Sequence, residues 1–245
     1  MDVTGNAALP NGDRGVQIES GANNTIVGGT AAGEGNVISA NGNDGIIISD
    51  GASPGTGTTG TIIEGNLIGV GADGTTALGN GTNGVRITTE DGHRIGGTAA
   101  DAGNVIANNT EDGVMLQNTT ATLNPILGNN IYANGQLGID IGNDSVDTND
   151  PLDGDGGANE GMNYPEPTSA TESGGTITLD FDLDVPGGTY WIDVFANPNG
   201  TDLSGNGEGE VSRGGDTITS AGSGVESFSI TIAGSAGDVL TATTT

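Results

Sequence analysis

Gly35-Asn36-Val37-Ile38-Ser39-Ala40-Asn41-Gly42-Asn43-Asp44-Gly45-Ile46-Ile47-Ile48 is the stretch whose reading decides the fold. Counted from Asn36, it has an apolar residue at +2, a second Asn at +5, a Gly at +9, and branched apolar residues at +10 and +12. The pattern recurs as Asn6/Ala8/Asn11/Gly15/Val16/Ile18 and Asn66/Ile68/Asn80/Gly84/Val85/Ile87. Two more copies are Asn104/Ile106/Asn109/Gly113/Val114/Leu116 and Asn129/Ile131/Asn134/Gly138/Ile139/Ile141. The copy anchored at Asn66 carries nine extra residues around Gly71-Ala72-Asp73-Gly74. Anchors lie 30, 30, 38 and 25 residues apart, the size of one supersecondary unit that buries its apolar face only by stacking on its neighbours.

Working outward, the choice is between helical and β repeats. Lys is absent, and Gly interrupts the chain too often for a run of good helix formers. The apolar residues alternate with period two in Val16-Gln17-Ile18, Val85-Arg86-Ile87 and Ile139-Asp140-Ile141, which is a strand signal. A third short apolar run precedes the anchors, at Ile26, Ile62-Ile63, Ile95 and Ile126. Three strands per copy predict a parallel β-helix of about five rungs, with like residues stacked about 4.8 Å apart. The anchoring Asn reads as a turn residue whose amide bonds to its counterparts above and below. The Gly at +9 reads as a turn position needing positive φ. Val37, Leu67, Val105 and Asn130 alternate with the inward Ile and should form an outward stripe. Either another body covers that stripe or the turn tucks it in.

After Ile141 the composition changes. Residues 146–163 form an acidic, Gly-rich linker, and 164–245 carry a second alternation, in which Ile177, Leu179, Phe181, Leu183 and Val185 share one strand face. Tyr190, Ile192, Val194, Val211, Phe228, Ile230 and Ile232 follow, which predicts a small antiparallel β-sandwich of about six strands.

The phrases GNVI, GNLI and GNNI, with NNTIVGG and GHRIGG between them, resemble the right-handed parallel β-helix repeats of the pectate-lyase-like superfamily. More narrowly they are similar to repeats of large secreted or surface-attached bacterial and archaeal proteins. The segments Thr189–Pro198 and Gly205–Glu210 resemble immunoglobulin-like modules that follow such β-helices. The resemblance implies secretion or cell-surface attachment. It is specific for fold and weak for function, because the superfamily spans lyases, hydrolases, epimerases, adhesins and structural stalks.

Charge narrows the partners. There are 32 acidic residues, four Arg and no Cys, for a net charge of −28. Such a chain is repelled by nucleic acid and by anionic membranes, suits salty or calcium-rich surroundings, and gains nothing from disulfides. No run approaches the length of a membrane span.

Asp147, Asn149, Asp150, Asp153, Asp155, Asn159 and Glu160 offer the oxygens Ca²⁺ takes, within fourteen residues and with Gly to let the chain wrap. Their order fits neither the EF-hand nor the β-roll calcium template, and a solvated acidic linker is the competing reading. Asp202, Asn206, Glu208 and Glu210 form a second, smaller set. In the strand around Ile192, outward Trp191, Asp193 and Phe195 would make a sugar-stacking platform or a domain contact, with burial against the β-helix as the alternative. Catalysis has few candidates. Uronate-lyase chemistry needs a base beside a carboxylate neutraliser; among the stacked outward positions Arg86 alone is basic, and His93 with Arg94 forms the other basic cluster. The expected function is therefore a calcium-stabilised, extracellular, non-catalytic structural or adhesive module. It would bind a glycan or a surface protein, or assemble with itself into filaments. The alternative is a polysaccharide lyase, hydrolase or epimerase using Arg86 or His93.

Overall fold

The computed structural model describes residues 2, 4–51, 57–118, 120–142, 146–200 and 208–245, and is all-β apart from one 3-10 turn. Three short strands, β1 (Val16–Ile18), β2 (Ile26–Gly28) and β3 (Val37–Ile38), fall in three different parallel sheets. The chain then revisits those sheets in the same order. β4 (Ile46–Ile48), β5 (Ile62–Glu64) and β6 (Leu67–Ile68) make the next turn, and β7 (Val85–Ile87), β8 (Arg94–Gly96) and β9 (Val105–Ala107) the one after. β10 (Val114–Leu116), β11 (Ile126–Leu127) and β12 (Asn130–Tyr132) follow, and β13 (Ile139–Ile141) returns to the first sheet. The result is a β-helix-like coil.

Register follows the repeat. Ile38, Ile68, Ile106 and Ile131 pair in one continuous file, and Ile18, Ile48, Ile87, Leu116 and Ile141 in another. The third file is Val27, Ile63, Ile95 and Ile126; Val27 takes the inward place and leaves Ile26 exposed. These files meet in one apolar core, whose removal from water is the main favourable term in folding.

Two asparagine ladders fasten the turns. In one, the Nδ2 of Asn36, Asn66 and Asn104 each donates to Oδ1 of the anchor one turn on, at 3.0, 2.9 and 2.8 Å. In the other, Asn11, Asn41, Asn80 and Asn109 donate likewise, ending at Asn134. The Oδ1 atoms of Asn66, Asn80, Asn104, Asn109, Asn129 and Asn134 also accept a backbone N–H group, so each of these ladder oxygens is doubly paired.

Two expectations need correction. Asn6 and Ala8 join no strand and no ladder. Instead Gly5 accepts a hydrogen bond from Ala72 at 3.0 Å, and Asn6 accepts one from Asp73 at 3.2 Å. Ala8 lacks the branched side chain that would seat it on the Ile38 file, and the nine-residue insertion reaches across to take these residues. The Gly at +9 is also needed for a different reason. A Cβ on Gly113 would lie 2.5 Å from Ile131 Cγ2 and 2.6 Å from Gly138 O, so the next turn leaves no room. Positive φ falls elsewhere, for example on Ala40, Asn108 and Ala133.

The C-terminal half contains β14 (Glu166–Ser173), β15 (Thr176–Leu183), β16 (Gly188–Ala196), β17 (Val211–Ser220), β18 (Glu226–Ala233) and β19 (Leu240–Thr244). They form two antiparallel sheets, β14-β15-β18 and β17-β16-β19. Ile177, Leu179, Phe181 and Leu183 pack against Ile192, Val194 and Ile218 in a second core separate from that of the coil. β14 is polar and exposed throughout, an edge strand with no apolar alternation to announce it.

Candidate functional site

The face where the coil ends carries the chemistry. The last turn of a coil leaves N–H donors with no turn above them, and such groups must find acceptors. The C-terminal half supplies these. Glu208 Oε1 accepts from Asn134 N–H at 3.2 Å and from Asn134 Nδ2 at 3.4 Å, while Oε2 accepts from Ala133 N–H. Its carboxylate thus stands where the next ladder amide would be. Gly209 pairs with Ile131 in both directions, at 2.7 and 2.8 Å, and Ser212 N–H donates to Asn130 Oδ1 at 2.8 Å. Asp193 Oδ2 accepts from Gly128 N–H at 2.9 Å.

The linker does the same for a third row of side chains. Thr61 N–H donates to His93 Nδ1, His93 N–H to Asn124 Oδ1, and Asn124 N–H to Asn159 Oδ1 at 2.9 Å. Asn159 Nδ2 returns a bond to Asn124 O. The sequence allows burial of Asp193 against the β-helix but does not mark Glu208 as a cap, because Glu208 lies outside the repeat. The one available signal was that Glu208 falls in the segment already matched to sandwich modules.

Trp191, Asp193 and Phe195 do not form an open platform. Asp193 and Phe195 are buried, and Trp191 is half-buried. The register of β16 against β17 shifts between Asp193 and Phe195, which breaks the alternation, and the capped end of the coil covers Asp193. Trp191 Nε1 donates to Asp193 Oδ1 at 2.8 Å, which fixes the indole. Burial raises the Asp193 carboxyl pKa, partly offset by the bonds from Trp191 and Gly128. Trp191 and Asp193 line a polar cleft of about 340 Å³ with Thr98, Asp101, Asn130 and Ser212. Phe195 instead turns toward Gly209, where a Cβ would be 2.8 Å from its ring.

Of the seven proposed metal ligands, Asp150, Asp153 and Asp155 come together, with carboxylate oxygens within 4.8 Å of one another. Asp153 is pushed up in pKa, first by burial and then by the charges of Asp155, Asp150 and Glu160. That donor set is the kind Ca²⁺ accepts. Asn149 is occupied elsewhere, exchanging two hydrogen bonds with the Tyr164 backbone. Asn159 belongs to the ladder, and Asp147 lines a separate hollow. In the second set, Glu208 is a cap and Glu210 accepts from Asn199; Asp202 and Asn206 lie outside the described residues.

The candidate bases are all engaged. Arg86 holds buried Asp44 at 2.9 Å, and Arg94 holds Glu64 at 2.8 Å. His93 is buried, and desolvation lowers its pKa against a weaker opposing pull from Asp91. The outward stripe of Val37, Leu67, Val105 and Asn130 is in register and half-buried, with the sandwich bonded to it at Asn130.

No protein-family model and no curated protein matches the chain. Among the described residues, no helix is long and apolar enough to cross a membrane.

Proposed function

We infer that this chain is an extracellular, non-catalytic structural and adhesive module. Its coil is a right-handed parallel β-helix of the pectate-lyase-like kind, a reading supported by the resemblance of its repeat phrases and by its three parallel sheets. Its sandwich, of the immunoglobulin-like kind, acts as the closing cap. The observation that carries the reading is the state of the basic groups: Arg86 neutralises a buried aspartate, and His93 is a member of a ladder. Neither is free to take a proton from a sugar ring.

Recognition is assigned to the Trp191 cleft, where one indole stands beside hydroxyl, amide and carboxylate groups. Sugars bind such surfaces through a C–H face on the ring and hydroxyls on the polar rim. Ca²⁺ at Asp150, Asp153 and Asp155 would brace the linker that carries Asn159. Self-assembly, if the module uses it, runs through the N-terminal face, since the C-terminal face is capped.

Trp191 is the one tryptophan in the chain, so its fluorescence reports the cleft directly. Titration with neutral and acidic oligosaccharides should shift that emission, and Trp191→Ala should lose the binding. Formation of unsaturated or hydrolysed sugar product, abolished by Arg86→Lys, would establish the enzymatic reading instead.

A further inference from the structure

A second cavity at the junction shares no lining residue with the Trp191 cleft. It encloses about 400 Å³ between the last turn of the coil, the linker and the end of β19. Ile126, Ile139, Ile141 and Met162 contribute apolar lining. It shares Ile139, Val146, Tyr164 and Thr243 with an adjoining hollow of about 250 Å³ that runs toward Phe195. A volume of this size is ordinary for a small-molecule site and large for a packing defect.

Three side chains around it, Leu123, Val146 and Tyr164, are among the exposed large hydrophobic residues of the chain. Exposed apolar residues gathered around one opening mark a binding surface, whereas scattered ones do not. Tyr164 is also held in place, because Asn149 bonds its backbone N–H and carbonyl at 2.9 and 2.8 Å.

The charged residues of the lining are of one sign. Asp147 and Glu160 contribute carboxylates, and among the described residues neither Arg nor His lines the cavity. Glu160 is set there by a left-handed backbone, with φ of 62°, in the 3-10 turn Ala158–Gly161. An apolar floor, a phenol ring and a carboxylate rim together complement one kind of ligand. We propose that this cavity binds a small aliphatic or aromatic ammonium, its hydrocarbon part between Ile126, Ile139 and Ile141 and its cation beside Glu160 and the Tyr164 ring.

The test compares four probes by thermal shift and calorimetry: n-hexylammonium, n-hexanol, n-hexanoate and ethylammonium. Hexylammonium should bind best, hexanol more weakly, and hexanoate and ethylammonium not measurably. Ethylammonium controls for general attraction of cations to so acidic a chain. Glu160→Gln should reduce hexylammonium affinity by about threefold, as for an exposed charge pair, and leave hexanol unchanged. Val146→Trp, a substitution at an exposed rim position, should block hexylammonium and hexanol alike. Equal binding of hexylammonium and ethylammonium would overturn the apolar site. Equal binding of hexylammonium and hexanoate, or an unaltered preference in Glu160→Gln, would overturn the assigned charge recognition.

Discussion

Single buried ionisable residues set the pH response of this chain, and they do so with opposite signs. Asp112 is fully buried and accepts a hydrogen bond from Leu137 N–H, yet burial raises its carboxyl pKa above the usual 3.8. A raised folded pKa means that its stability contribution is complete below the unfolded pKa and is lost as pH rises through the folded one. Asp112→Asn should therefore raise the melting temperature at pH 7, by about 2–4 °C, with the gain shrinking toward pH 4. His93 behaves in the reverse sense. Its folded pKa is below 6.5, so its contribution is complete above about that pH and is lost as pH falls. His93→Asn should keep a ladder amide and flatten the melting curve's dependence on pH below 6.5. An unchanged acid slope would remove His93 from the account. Arg86→Ala should cost about 3 kcal/mol in denaturant unfolding, because the charge of buried Asp44 would keep the hydrogen bonds from Thr82 and Asn83 but, as a counter-ion, only Arg14 Nε, 3.7 Å away.

At the level of strands and turns, the coil was readable because its signal repeats. Ile38, Ile68, Ile106 and Ile131 sit at one offset from an asparagine, and that constancy gave the register before any coordinate did. What escaped reading does not repeat. Glu208 meets Asn134 across 74 residues, and no pattern within either partner marks the pairing. The bulge after Asp193 turned a clean alternation into a run of buried residues, so of the readings the sequence leaves open for Asp193 it is burial against the coil, and not the open platform, that forms. The Gly at +9 was placed correctly and explained wrongly, because crowding from the next turn is invisible along a single strand. Glu208→Ala should leave the last-turn donors of Ala133 and Asn134 without acceptors, a loss of about 2–3 kcal/mol. Hydrogen exchange should then quicken at Ala133 and Asn134 before it does at Ile106. Uniform exchange across the coil would argue against a capping role.

For the molecule as a whole, a charge of −28 on 245 residues opposes compaction. Sodium chloride should raise the melting temperature by screening, and calcium should raise it further at matched ionic strength, with chelator reversing the extra gain. Asp153→Asn should abolish the calcium-specific part and, by relieving repulsion from Asp150 and Asp155, stabilise the chelated protein. Identical effects of the two salts would reduce the linker to a solvated acidic stretch. The two cores lie in separate clusters, yet the second half supplies acceptors for the first. The coil alone would therefore end in bare donors.

The ladders have a direction. Every side-chain amide from Asn11 to Asn109 and from Asn36 to Asn104 donates one N–H to the amide oxygen of the next turn, so the C=O groups of the ladders all point toward the first turn. Aligned amides add their dipoles, as peptide units do along a helix axis. The coil is consequently electrically polar, its positive pole at the last turn and its negative pole at Asn11 and Asn36. Glu208 and Asp193 meet the positive pole with carboxylates, while the opposite pole offers carbonyl oxygens that call for a hydrogen donor. Any surface that joins the coil there must bring N–H groups, and a second acidic edge would be turned away.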